Sequence, residues 1–121
     1  MSDALLVEEL RRMGGTDEAL LAKPEALGFM LPPLRDDYRV MAGYAVRPGA
    51  RVSAPITVLY GEDDPATPPA DAAEWARHTD GGAELRSFPG GHFYLTQCRH
   101  EVLDTVLRHF PAEETSWRTA I

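Results

Sequence analysis

From Ile56 onward the chain alternates strand-like and helix-like segments, and this order constrains its fold more than any other feature. Ile56-Thr57-Val58-Leu59-Tyr60 is a short apolar run after Ala54-Pro55, as expected of a strand buried on both faces of a parallel sheet. Thr67-Pro68 starts a helix through about His78, which Gly81-Gly82 ends. Glu84 to Phe88 is a weaker strand, placed nearer an edge. Leu95, Cys98, Val102, Val106 and Phe110 then form one stripe, so Phe93 to His109 is expected to close the fold as an amphipathic helix. Strand, helix, strand, helix is the signature of an α/β sheet. Two parallel strands are too few to be stable alone, so the pattern describes part of a larger sheet.

Before about Ala45–Arg51 everything reads as helix. Ser2 is an N-cap, and Leu6, Leu10 and Met13 recur at helical spacing until Gly14-Gly15 stops the segment. Thr16 is the expected cap of a second helix over Asp17 to Ala22. Pro24 suits the first position of a third over Glu25 to Leu31. Pro32-Pro33 is expected to break the pattern before a last helix from about Leu34 to Tyr44. Leu27, Phe29, Met30, Leu31 and Leu34 suit either a cap over something apolar or the edge of a helical bundle. The expected organisation is a helical lid segment over 1–46, an α/β portion over 47–110 and a loosely ordered tail over 111–121.

Composition excludes some classes. A net charge of −7 on 121 residues offers no basic stripe to displace counterions, so no nucleic-acid partner is expected. A single cysteine, Cys98, forms no internal disulfide and fits a reducing compartment. No apolar run reaches membrane-spanning length, and the N-terminus begins acidic, without a basic-then-apolar leader. The expectation is a cytoplasmic, soluble protein with no membrane association.

Two loops carry candidate chemistry. Gly61-Glu62-Asp63-Asp64-Pro65 follows the first strand, and Pro89-Gly90-Gly91-His92-Phe93 follows the second. Ligands of open α/β sheets bind beyond the carboxyl ends of the strands, and a parallel connection brings both loops to that rim. A serine hydroxyl is a weak nucleophile until a neutral imidazole takes its proton, and a buried carboxylate fixes the tautomer of that imidazole. Asp64 and His92 are the candidate catalytic acid and base, with Asp63 the alternative acid. Taken alone, Glu62-Asp63-Asp64 also reads as a solvated Asx turn, and His92 as a turn histidine; the combination favours catalysis. A hard cation would want more oxygen ligands than this cluster has, so neither metal nor cofactor is expected. His78, at the end of a helix, and His100 and His109, off the apolar stripe, carry little functional weight, and Cys98 reads as a small buried hydrophobe. None of Ser2, Ser53, Ser87 and Ser116 lies in Gly-x-Ser-x-Gly, the elbow that presents an α/β-hydrolase nucleophile.

Ala54 to Pro65, Trp75-x-x-His78-Thr79 and Phe88-Pro89-Gly90-Gly91-His92-Phe93-Tyr94-Leu95 together resemble the C-terminal half of type II thioesterases. These are the editing α/β-hydrolases that accompany polyketide and non-ribosomal peptide synthetases. Glu8 to Thr16 and Leu31 to Arg39 resemble that family's helical lid, so the likeness runs roughly from Leu5 to Phe110. It implies hydrolysis of acyl groups from the phosphopantetheine thiol of acyl or peptidyl carrier proteins, with Asp64 as acid and His92 as base. It also implies that the segment Leu5 to Tyr44 shapes the acyl channel and helps to dock the carrier. Carriers of this kind are usually acidic, and Arg35, Arg39, Arg47 and Arg51 are the candidates for a local basic patch.

In that family the serine elbow, the oxyanion donors and the first strands precede the lid. The resemblance therefore implies either that the chain is one portion of a longer thioesterase or that a separate N-terminal polypeptide supplies the serine, and both readings expect an exposed sheet edge through which the chain associates, with such a polypeptide or with itself. The alternative is a carrier- or partner-binding module that performs no chemistry.

Overall fold

The computed structural model describes residues 1–110; the tail expected at 111–121 lies outside the described residues. Helix α1 spans Asp3–Met13, capped by the Ser2 hydroxyl, which accepts from the Leu5 amide at 3.4 Å. Gly14 ends it at φ 74°, a backbone conformation that costs glycine least. Helix α2 is Glu18–Leu21, and its cap is Asp17 rather than Thr16, the Asp17 carboxylate accepting from the Ala19 amide at 2.8 Å.

Helix α3 runs unbroken over Pro24–Gly43, with Pro32 and Pro33 inside it. This corrects the expected break. Each proline removes an amide donor, freeing the carbonyls of Gly28 and Phe29 four residues earlier. All four residues are exposed, so water can take over those bonds. Leu6, Leu21 and Leu31 are buried, one from each helix, and form the core of this portion. Tyr38 Oη donates to Glu9 Oε1 at 3.2 Å, and Arg12 Nε donates to the same carboxylate at 2.8 Å, which ties α1 to α3.

Strand β1 is Ile56–Gly61 and β2 is Ala83–Phe88, paired in parallel from Ile56 with Ala83 to Gly61 with Phe88. They are joined by α4 (Pro69–Ala73) and a 3₁₀ turn (Glu74–His78), in place of the single α-helix expected. β1 is half-buried along Ile56–Tyr60, not buried on both faces, because among the described residues the sheet has two strands. β2 carries Glu84, Arg86 and Ser87 and is exposed over residues 84–87, as an edge strand is.

The closing helix is also divided, into α5 (Tyr94–Gln97) and α6 (Arg99–Leu107). Cys98 sits at the break, where its thiol donates to the Pro89 carbonyl at 3.4 Å. Of the expected apolar stripe, Leu95, Val106 and Phe110 remain exposed, as does the neighbouring Leu103. Among the described residues no helix is long and apolar enough to cross a membrane.

Candidate active site

Beyond the carboxyl end of β1 the chain turns at Gly61. A Cβ there would meet the carbonyl oxygen of Gly91 and lie 2.6 Å from that of Gly90. Glycine is required because the two loops touch backbone to backbone. The Glu62 amide donates to the Phe88 carbonyl and the Asp63 amide to the Gly90 carbonyl, both at 2.9 Å. The hydroxyl of Ser87 donates to Glu62 Oε1 at 3.0 Å. Gly90 has φ 112°, open to glycine and strained for other residues, and so lets the second loop turn back over the first.

These contacts bring Asp64 and His92 together, with His92 Nδ1 3.0 Å from Asp64 Oδ2. The Asp64 side chain is 5% exposed and that of His92 38%. Asp64 Oδ1 accepts from the Ala66 amide at 2.8 Å. Burial pushes the Asp64 carboxyl up, but the Ala66 amide, the His92 imidazole and the Thr67 hydroxyl outweigh it and hold the group below its ordinary value. Asp64 is therefore ionised near neutral pH and can only accept, so a neutral His92 carries its proton on Nδ1 and keeps the Nε2 lone pair for another group. Asp63 is exposed, and its amide, not its carboxylate, holds the loop. Tyr94 is buried beneath the site and stacks on Phe88 at 5.5 Å between ring centroids.

The other sequence candidates lie apart from this pair. His78 Nδ1 is 3.4 Å from the Ala50 carbonyl and His109 Nε2 is 3.3 Å from Thr57 Oγ1, and both belong to the packing around β1. Three of the four arginines are engaged: Arg35 with Asp3, Arg39 with Asp36, and Arg51 with Asp80. Arg51 also donates to the carbonyls of Arg77 and Thr79 at 3.0 and 2.6 Å. No group of three His, Cys, Asp or Glu able to hold a metal ion occurs among the described residues. A cavity of about 430 Å³ lies at the other end of β1, lined by Tyr44, Val46, Val52, Ile56, Trp75 and His78 among others; neither Asp64 nor His92 borders it. Sequence reasoning missed the contact of Phe93 with Gly15, for which the glycine pair was the available signal.

A model of the thioesterase domain matches residues 1–113. The chain belongs to the thioesterase domain family. It is 41% identical over 109 residues to thioesterase PikA5 of Streptomyces venezuelae, covering 90% of this chain and 39% of that protein. With the probable cadicidin biosynthesis thioesterase of Streptomyces griseus it shares 46% identity over 92 residues, 76% of this chain and 26% of the relative. Among solved structures, the type II thioesterase BorB from the borrelidin biosynthetic cluster superposes with a TM-score of 0.74 at 42% identity, over 90% of this chain and 44% of BorB. This thioesterase sequence thus spans less than half the length of these relatives, and its strands and helices are those of a partial α/β-hydrolase fold.

Proposed function

We propose that this chain supplies the acid and the base of a thioesterase that hydrolyses acyl groups from carrier-protein phosphopantetheine thioesters in polyketide or non-ribosomal peptide biosynthesis. The observation that carries the reading is the 3.0 Å approach of His92 Nδ1 to the buried Asp64 carboxylate. In this reading Nε2 of His92 takes the proton of a serine hydroxyl as the oxygen attacks the thioester carbonyl. The tetrahedral intermediate collapses with loss of the phosphopantetheine thiolate, which receives that proton. Water, deprotonated by the same nitrogen, then releases the acid from the serine. Asp64 holds the tautomer and offsets the positive charge of the imidazolium in both steps.

The serine comes from polypeptide outside this sequence, since none of the four serines here lies in the elbow pattern. Two features of β1 support a complementing polypeptide. Apolar surface lies open on both sides of it, at Val52 and Trp75 on one side and at Val106 and Phe110 on the other. Its apolar sequence also suits an interior strand better than the free edge it now presents. The carrier protein is the substrate partner, and Arg47, exposed and without an ion-pair partner among the described residues, is the arginine best placed to meet its acidic surface.

The test mixes the full chain with the nucleophile-bearing portion of a related thioesterase and follows thiol release from an acyl-carrier thioester. Turnover that requires both polypeptides, and that a serine-directed phosphonate abolishes, is expected. Stable association with the carrier protein but no hydrolysis in the mixture would replace this reading with that of a non-catalytic binding module.

A further inference from the structure

The His92 imidazole has a second neighbour besides Asp64. The Phe93 ring meets it edge to face, at 5.1 Å between centroids and 84° between planes. The backbone of Phe93 is fixed at the start of α5, where its carbonyl accepts from the Thr96 amide at 3.0 Å and from the Thr96 hydroxyl at 2.8 Å. Its ring reaches across to the turn between α1 and α2 and lies directly over Gly15, where a Cβ would meet Cε2 and would lie 3.0 Å from Cζ. Gly14 and Gly15 both have positive φ, 74° and 79°, so the turn brings bare backbone to the ring. Within the helical portion the Glu9 carboxylate, held by Arg12 of the same helix, ties α1 to Tyr38 of α3, and Leu6, Leu21 and Leu31 pack one from each helix into its core.

We infer that Phe93 is a positioning residue, a wedge between Gly15 and the imidazole through which the helical portion holds His92 against Asp64. Tilting the helices away from the sheet frees the ring, and the imidazole then loses the support that keeps Nδ1 on the carboxylate. The inference builds on the hydrolase reading in that the base it positions is His92, but it is tested by a readout that needs no turnover.

The experiment is long-range ¹H–¹⁵N NMR of the histidine rings in the full chain and its variants. The parent chain is expected to show a single His92 tautomer with a slowly exchanging proton on Nδ1. Phe93→Ala should mix the tautomers and speed exchange of that proton about tenfold, the upper range of what one aromatic pair contributes. Phe93→Leu, which keeps most of the bulk, should recover much of the protection. Gly15→Ala displaces the ring from the far side, so it should shift the same resonances, and should add nothing in the Phe93→Ala background. An unchanged His92 spectrum in Phe93→Ala overturns the inference, as does a Gly15→Ala effect that persists undiminished without the ring. If Phe93→Ala fails to fold, Gly15→Ala alone decides: the parent spectrum in that variant rejects the wedge. Failure of reconstituted hydrolysis leaves these spectra interpretable, so the two readings stand or fall separately.

Discussion

The two ends of the paired strands are built from similar materials to different ends. At the amino end Thr79 is buried; its hydroxyl donates to the Ala54 carbonyl at 2.5 Å and accepts from the Gly81 amide at 2.9 Å. Arg51 closes over it with bonds to two carbonyls and to Asp80. Each of these side chains is matched to a partner, which is what a structural clamp requires. At the carboxyl end the clamp is made by backbone instead, Gly61 against Gly90 and Gly91, and the side chains are left over for other work. Asp64 is fully committed, but His92 engages one ring nitrogen and its side chain is 38% exposed. Unspent hydrogen-bonding capacity on a well-held residue separates a site from a joint.

The strongest way to break this contrast is to change the residues that the carboxyl end leaves available. In the complemented enzyme, Asp64→Asn should keep the loop folded, since the amide oxygen can still accept from Ala66, yet lower kcat by about 10⁴-fold because the tautomer is no longer fixed. His92→Ala should cost at least as much. Measurable loss of folding stability in either variant, with kcat retained, would make the pair a joint like the other end.

The next effects are on stability. Gly61→Ala forces a methyl group against two carbonyls that the turn cannot move apart, and should destabilise the chain by about 1–3 kcal/mol. It should also separate the loops enough to abolish the His92–Asp64 bond, visible in the same NMR spectra. Thr79→Val keeps the shape but leaves the Ala54 carbonyl and the Gly81 amide without their partner, a cost of about 1–3 kcal/mol with kcat unchanged. Urea titration of both variants, alongside kcat, sharpens the comparison: one substitution should move both quantities and the other only stability.

What was legible in the sequence follows the range of the forces involved. The parallel strands, the Ser2 cap and the stop at Gly14-Gly15 rest on local pattern, and they stand in the structure. The meeting of positions 64 and 92 followed from topology, since a parallel crossover returns both strand ends to one rim. The errors arose where solvent or a single local bond decides. Pro32 and Pro33 are tolerated because the carbonyls they orphan face water. Asp17 caps α2 in place of Thr16 because its carboxylate reaches the Ala19 amide. Cys98 divides the last helix while its thiol bonds to Pro89. The Phe93–Gly15 contact joins residues distant in sequence, and nothing periodic announces it.

The smallest expected effects separate neighbours within one loop. Asp63→Asn changes an exposed carboxylate whose backbone, not its side chain, holds Gly90, so stability should move by no more than about 0.5 kcal/mol and turnover hardly at all. Asp64 behaves differently under acid. Its folded pKa lies below the ordinary carboxylate value. A group of that kind favours the folded chain at pH above its unfolded pKa, and the contribution disappears as pH falls through the folded one. The His92–Asp64 bond should therefore persist while ordinary surface carboxyls protonate and be lost only at lower pH, a sequence readable from carboxyl ¹³C shifts. Protonation of Asp64 together with the exposed acids, or an Asp63→Asn variant that loses turnover while Asp64→Asn keeps it, would move the acid role by one residue.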